Sequence, residues 1–117
     1  MNYIAERRLL FSEKSSPLRK EFRIRISAPY IVQQQYVKFP VDGIMAGCHV
    51  GIDGLNERDF DVYGMDSLQA INMASDLEPF LKRLSAKYNF FWLTGEPYFG
   101  GTGSGKSMGS DSIDSQN

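Results

Sequence analysis

Apolar residues recur at every second position in two stretches near the start of the chain. Tyr3, Ala5, Leu9 and Phe11 share one face of a first strand, with Arg7 interrupting. Phe22, Ile24 and Ile26 share one face of a second, opposite Glu21, Arg23 and Arg25. Glu13-Lys14-Ser15-Ser16-Pro17 between them is loop chemistry, so the pair reads as a hairpin, and the second alternation predicts a sheet with one solvated face. Ala28-Pro29 ends that strand, because proline brings no N–H to a ladder and restrains the residue before it. Gln33 to Phe39 reads as a short irregular edge strand, closed by Pro40 and Asp42-Gly43.

From Gly47 to Gly54 the alternation returns, with Cys48, Val50 and Ile52 on one face and His49, Gly51 and Asp53 on the other. A turn through Gly54-Leu55-Asn56-Glu57-Arg58-Asp59 leads into Phe60-Asp61-Val62-Tyr63, a second hairpin, which predicts an antiparallel four-stranded meander. Asp66 has the chemistry of a helix N-cap and Gln69 stands three residues on, in the capping-box position. Ala70, Met73, Ala74, Leu77, Leu81, Leu84 and Tyr88 then recur at spacings of three and four, an apolar stripe for one face of the sheet. Pro79 inside this run predicts a kinked helix or two short abutting ones, with Asp76 placed to cap the second. Phe90-Phe91-Trp92-Leu93 reads as a buried terminal strand or a cap on the sheet edge. The fold class expected is therefore α+β: one domain over residues 1–99, followed by a flexible Gly/Ser-rich tail over 100–117 that holds five Gly and five Ser.

Composition narrows the functional classes. Hydrophobic residues make up 42% and charged ones 23% of 117, which is globular. One cysteine and one histidine exclude an internal disulfide and the usual zinc cages. Charge interrupts the N-terminus before any apolar run, so neither a secretory leader nor a membrane span is expected, and a cytoplasmic location is. The formal net charge is −1, yet the eight carboxylates from Asp42 to Glu78 stand against Arg58 alone. That stretch predicts either a negative surface or a set of turn formers and caps that the basic first third neutralises.

Gly100-Gly101-Thr102-Gly103-Ser104-Gly105-Lys106-Ser107 matches the phosphate-loop string letter for letter, but only ten residues follow it and they carry no helical stripe, so no nucleotide cofactor is expected. Cys48-His49 cannot chelate one ion or form a nucleophile–base pair from adjacent strand positions, which point to opposite faces. Asp59-Phe60-Asp61-Val62-Tyr63-Gly64 opens like a calcium loop and fails at Tyr63 and Ala70, so no metal is expected. Asp66-Ser67 lacks the usual base for a hydroxyl nucleophile, and Asp53 with Asp61 is a weak acid–base pair. Arg19, Lys20, Arg23, Arg25 and Lys38, with Tyr30 and Tyr36 for stacking, suggest a nucleic-acid stripe. Glu21 breaks it, and a pI near 5.8 gives no long-range pull on phosphate.

Ala5-Glu6-Arg7, Ala28-Pro29, Cys48-His49-Val50-Gly51-Ile52-Asp53-Gly54-Leu55 and above all Gly64-Met65-Asp66-Ser67-Leu68-Gln69-Ala70 resemble an uncharacterised family of small bacterial domains. The resemblance spans about residues 3 to 95 and implies the fold and a bacterial source rather than an activity; Pro79 departs from the uninterrupted helix it implies. In size, charge pattern and lack of a catalytic set the chain also looks like immunity proteins, which neutralise a toxin's nuclease domain. The expected function is thus a noncatalytic protein-binding module, with no catalytic residue, that presents Asp53, Glu57, Asp59 and Asp61 to a basic protein partner, with Tyr98 and Phe99 as apolar anchors. The rival is a small-molecule site or enzyme between sheet and helix, with Arg7, Asp66, Ser67 or Gln69 as polar contacts.

Overall fold

The computed structural model describes residues 2–100, so the predicted tail, and with it the phosphate-loop string, lies outside the described residues from position 101 on. The element order is β1 (Tyr3–Glu13), β2 (Lys20–Ser27), β3 (Tyr30–Ile31), a 3-10 turn (Gln34–Tyr36), β4 (Ala46–Asp53), β5 (Phe60–Gly64), α1 (Ser67–Ser75), α2 (Glu78–Leu84) and β6 (Tyr88–Phe91). This is an α+β fold with a six-stranded antiparallel sheet and a bent helical run. β4 pairs with β2, β3 and β5, and β1 pairs with β2 and β6. The sheet thus has two strands, β3 and β6, beyond the four of the predicted meander. The described residues form two compact units, 2–8 with Phe22–Arg83, and Leu9–Glu21 with 84–100.

In the first unit β2 ends at Ser27, as Ala28-Pro29 predicts, and the chain resumes pairing with the same strand β4 at β3, across a bulge. Ile26 faces Val50 and Tyr30 faces Gly47, so residues 27–29 stand opposite only residues 48–49. The Ser27 hydroxyl accepts from the His49 N–H at 2.8 Å, which takes the place of a ladder bond, and Pro29 sits where no donor is required. The expected edge strand over Gln33–Phe39 does not form. The Gln34 side chain instead donates to Phe39 O and accepts from Val41 N, both at 2.9 Å, and Tyr36 N donates to Gln33 O; these local bonds close the loop on itself.

α1 packs on β4 and β5 through buried Ala70 and Ala74, and after it Leu77 and, in α2, Phe80 and Leu81 are buried too. Met73, predicted in this stripe, is 47% exposed, and Phe80 does the packing instead, its ring 5.0 Å from that of Phe60. The helical run breaks at Asp76–Leu77, where Asp76 is the C-cap of α1, and Pro79 falls in the first turn of α2, where its missing N–H costs nothing. The Asp66 Oδ1 accepts from Gln69 N at 2.9 Å, while Gln69 Oε1 reaches back to Met65 N, one residue earlier than a standard capping box. Asp66→Ala is therefore expected to cost about 1 kcal/mol, read as a lower urea midpoint.

In the second unit β6 pairs with the end of β1, and Leu9, Phe11, Tyr88 and Phe90 are buried, with the Phe11 and Tyr88 rings edge to face at 5.5 Å. Trp92 and Leu93, expected to be buried with Phe90, are 40% and 47% exposed. The chain turns at that point, closed by Trp92 N to Glu96 O and Gly95 N to Trp92 O, both at 2.8 Å. Gly95, at φ +96°, supplies the conformation this turn needs.

Candidate functional site

Strand alternation puts Gly47, His49 and Gly51 of β4 on the solvated face. The two glycines admit two tyrosines. A Cβ at Gly47 would stand 2.6 Å from the Tyr30 ring, and one at Gly51 would stand 2.5 Å from the Tyr3 hydroxyl. Tyr30 and Tyr3 therefore lie across β4 on either side of His49. The Arg25 guanidinium stacks 4.2 Å over the Tyr3 ring, and its buried Nε has no hydrogen-bond partner among the described residues.

His49 is gripped at both nitrogens. Its Nδ1 lies 2.9 Å from Asp61 Oδ1, directly across the β4–β5 ladder, and its Nε2 lies 3.0 Å from Asp59 Oδ2. The Asp59 carboxylate is held from behind, because its Oδ1 accepts the Ile52 N–H at 2.8 Å. Asp61 Oδ2 accepts from the Tyr30 hydroxyl. Burial pushes the imidazole pKa down, but hydrogen bonds and charge from Asp61 and Asp59 outweigh it, and the net direction is upward from 6.5. Asp59 is held below the ordinary carboxylate value, first by the Ile52 N–H and then by His49. Burial, reinforced by the bond to Asp61, pushes the Tyr30 phenol upward, and burial with Asp61 does the same to the Cys48 thiol. The unit is thus one imidazole between two aspartates that favour its protonated form, with the Tyr30 phenol attached.

Beside this network lies a cleft of about 340 Å³ bordered by β3, the 3-10 turn and β5. Tyr30, Tyr36, Tyr63 and Asp61 line it together with Ile31, Val32, Gln33 and Val37. Phe39 braces Tyr63 from outside, ring to ring at 5.1 Å and 62°.

Of the residues singled out from the sequence, Asp53, Glu57, Asp59 and Asp61 all fall on the β4–β5 hairpin. Their surroundings differ. Asp53 pairs with Arg23 Nε at 2.9 Å, Glu57 is half-buried in the turn, and only Asp59 and Asp61 share His49. Tyr98 and Phe99 belong to the second unit, where Tyr98 stacks near Trp92 at 4.7 Å and meets Phe99 edge-on. The proposed basic stripe is dispersed: Arg23 is engaged by Asp53 and Glu6, while Arg19, in the second unit, stacks on Phe91 and donates to Gly95 O. Asp66 and Gln69, named for the rival site, spend their side chains on the N-terminus of α1.

His49, Tyr30, Tyr63 and Gly47 enter the site without having been singled out for it. The signal for them is the alternation Gly47-x-His49-x-Gly51 facing Asp59-x-Asp61-x-Tyr63 across a turn. Among the described residues no group of three or more His, Cys, Asp or Glu side chains is arranged to hold a metal ion, and no helix is long and apolar enough to cross a membrane. Compared with protein family models, with curated proteins and with solved structures, the chain matches none.

Proposed function

We propose that the chain is a noncatalytic protein-binding module of the bacterial cytoplasm that captures a basic partner through the acidic β4–β5 hairpin. A toxin nuclease domain suits this surface as the partner, which is an immunity role. The observation that carries the proposal is the orientation of Asp59 and Asp61, held at the surface by His49, Ile52 N and Tyr30. Carboxylates that are already ordered lose little freedom on binding, and they steer a basic partner by long-range attraction. Asp59 and Asp61 flank His49 on either side and supply the carboxylates that a basic partner would meet. Both imidazole nitrogens are engaged, so His49 offers no free lone pair to a substrate proton, and Cys48 lies buried on the opposite face. Binding therefore fits the cluster better than turnover. The rival site gains no support where α1 meets β5, since a Cβ at Gly64 would stand 2.6 Å from Ala70 N.

The test uses the partner recovered from the host. Asp53→Asn, Glu57→Gln, Asp59→Asn and Asp61→Asn combined should lower its association rate by about tenfold at low salt and flatten the salt dependence. An association rate and salt slope equal to those of the parent chain would refute the proposal.

A further inference from the structure

Resting on that reading, we infer that the cleft between β3, the 3-10 turn and β5 seats one basic side chain of the partner, its ammonium or guanidinium group against Asp61 and among the rings of Tyr30, Tyr36 and Tyr63. The lining of the cleft points to a cation. None of its eight lining residues carries a positive charge and one carries a negative charge, so the cleft is one-signed. Three of its residues are tyrosines, whose ring faces are the negative pole of the aromatic quadrupole. Ile31, Val32 and Val37 supply apolar surface for the methylene stem of a lysine or arginine, which buries its stem while its head finds polar partners.

Asp61 is prepared for this role. One of its oxygens accepts from Tyr30 and the other from His49, which sets the plane of the carboxylate and uses about half of the roughly four lone-pair sites an ionised carboxylate has. The remainder can accept N–H donors from a ligand. His49 touches Asp61 from the β4 side and does not line the cleft, and Asp59 offsets its charge. Tyr36 completes the case. It is 77% exposed on a turn braced by Gln34, and among the described residues its side chain makes no hydrogen bond or ring contact. A large aromatic held out on a braced turn beside a carboxylate has the character of an interface anchor.

The experiment is a titration of the full chain, followed by amide NMR shifts, with N-acetyl-lysine methylamide, N-acetyl-arginine methylamide and N-acetyl-norleucine methylamide. The basic probes should shift the amides of residues 30–37 and 61–63 saturably, and the norleucine probe should bind more weakly there. Asp61→Asn and Tyr36→Ala should each weaken the basic probes by about three- to fivefold. Tyr36 is exposed enough that its variant keeps the fold, so a loss of folding in Asp61→Asn leaves the test intact. Equal shifts from all three probes, or saturable shifts confined to other parts of the β4–β5 hairpin, would overturn the inference. If the acid-to-amide variant loses a recovered partner while Tyr36→Ala binds it and the probes as the parent does, this inference fails and the proposed function stands. If the probes seat as expected but no basic partner depends on the hairpin acids, the proposed function fails and the cleft assignment stands.

Discussion

Gly64→Ala is expected to destabilise the protein by about 2–3 kcal/mol and to lower its Tm by about 10–20 °C. The added Cβ would lie 2.6 Å from Ala70 N and 3.0 Å from the Gln69 carbonyl carbon, backbone atoms of α1 that have no rotamer into which to retreat. The helix has to lift from β5, yet its start is tied down by the Asp66 cap and the Met65–Gln69 bond, and Ala70 and Ala74 are buried against the sheet. Any lift therefore loses packing and capping together. Gly47→Ala is the informative comparison, because its Cβ would meet the ring of Tyr30, an exposed side chain that can rotate away. It should cost less than about 1 kcal/mol in stability while moving Tyr30 off Asp61. Thermal and urea unfolding of the two variants measure the difference. Equal losses would mean that the approach of α1 to β5 is not what limits residue 64 to glycine.

The same contrast explains which parts of the structure were legible in the sequence. β2 and β4 announced themselves through period-two alternation backed by burial of one face, and α1 through Asp66 and Gln69, because those signals are local; in β1 the alternation predicts the strand, but of its expected apolar face only Leu9 and Phe11 are buried, while Ala5 is exposed. The 3-10 turn was not legible: Gln34 bonding to Phe39 and Val41 is a choice among several local arrangements that no periodicity records. Pro29 was legible as a break but not as a bulge, since the bulge exists only relative to the register of β4. Trp92 and Leu93 misled because an apolar run looks buried until Gly95 turns the chain.

The candidate site was half legible for the same reason. Asp59 and Asp61 could be named from their spacing, but their partner depends on the register that sets His49 opposite Asp61, and this in turn depends on how residues 54–59 close the hairpin. Tyr30 was legible as an aromatic but not as a member of the site, because its path to Asp61 runs over a glycine on a strand between them.

That register makes the stability of the protein depend on pH in a direction that can be stated in advance. His49 is held above its ordinary value of 6.5, so its contribution is complete below pH 6.5 and is lost as pH rises through the raised pKa. Asp59 is held below its ordinary 3.8, so its contribution is present above pH 3.8 and is lost as pH falls through the lowered pKa; with 44% of its side chain exposed, this is the smaller effect. Stability should therefore be greatest between about pH 4 and 6.5 and decline on the alkaline side. His49→Gln can donate to one carboxylate but not to both, which leaves the other without its donor and removes the imidazole charge between them. It should cost about 1–2 kcal/mol near pH 5.5, show no decline above pH 6.5, and converge with the parent at high pH. Urea midpoints across pH 4 to 9 measure this. The imidazole is the only one in the chain, so its NMR titration assigns itself. A midpoint at or below 6.5, or an alkaline slope that persists in His49→Gln, would show that the two carboxylates do not hold the imidazolium. The orientation of Asp61, on which the proposed capture and the cleft assignment both rest, would then need another source.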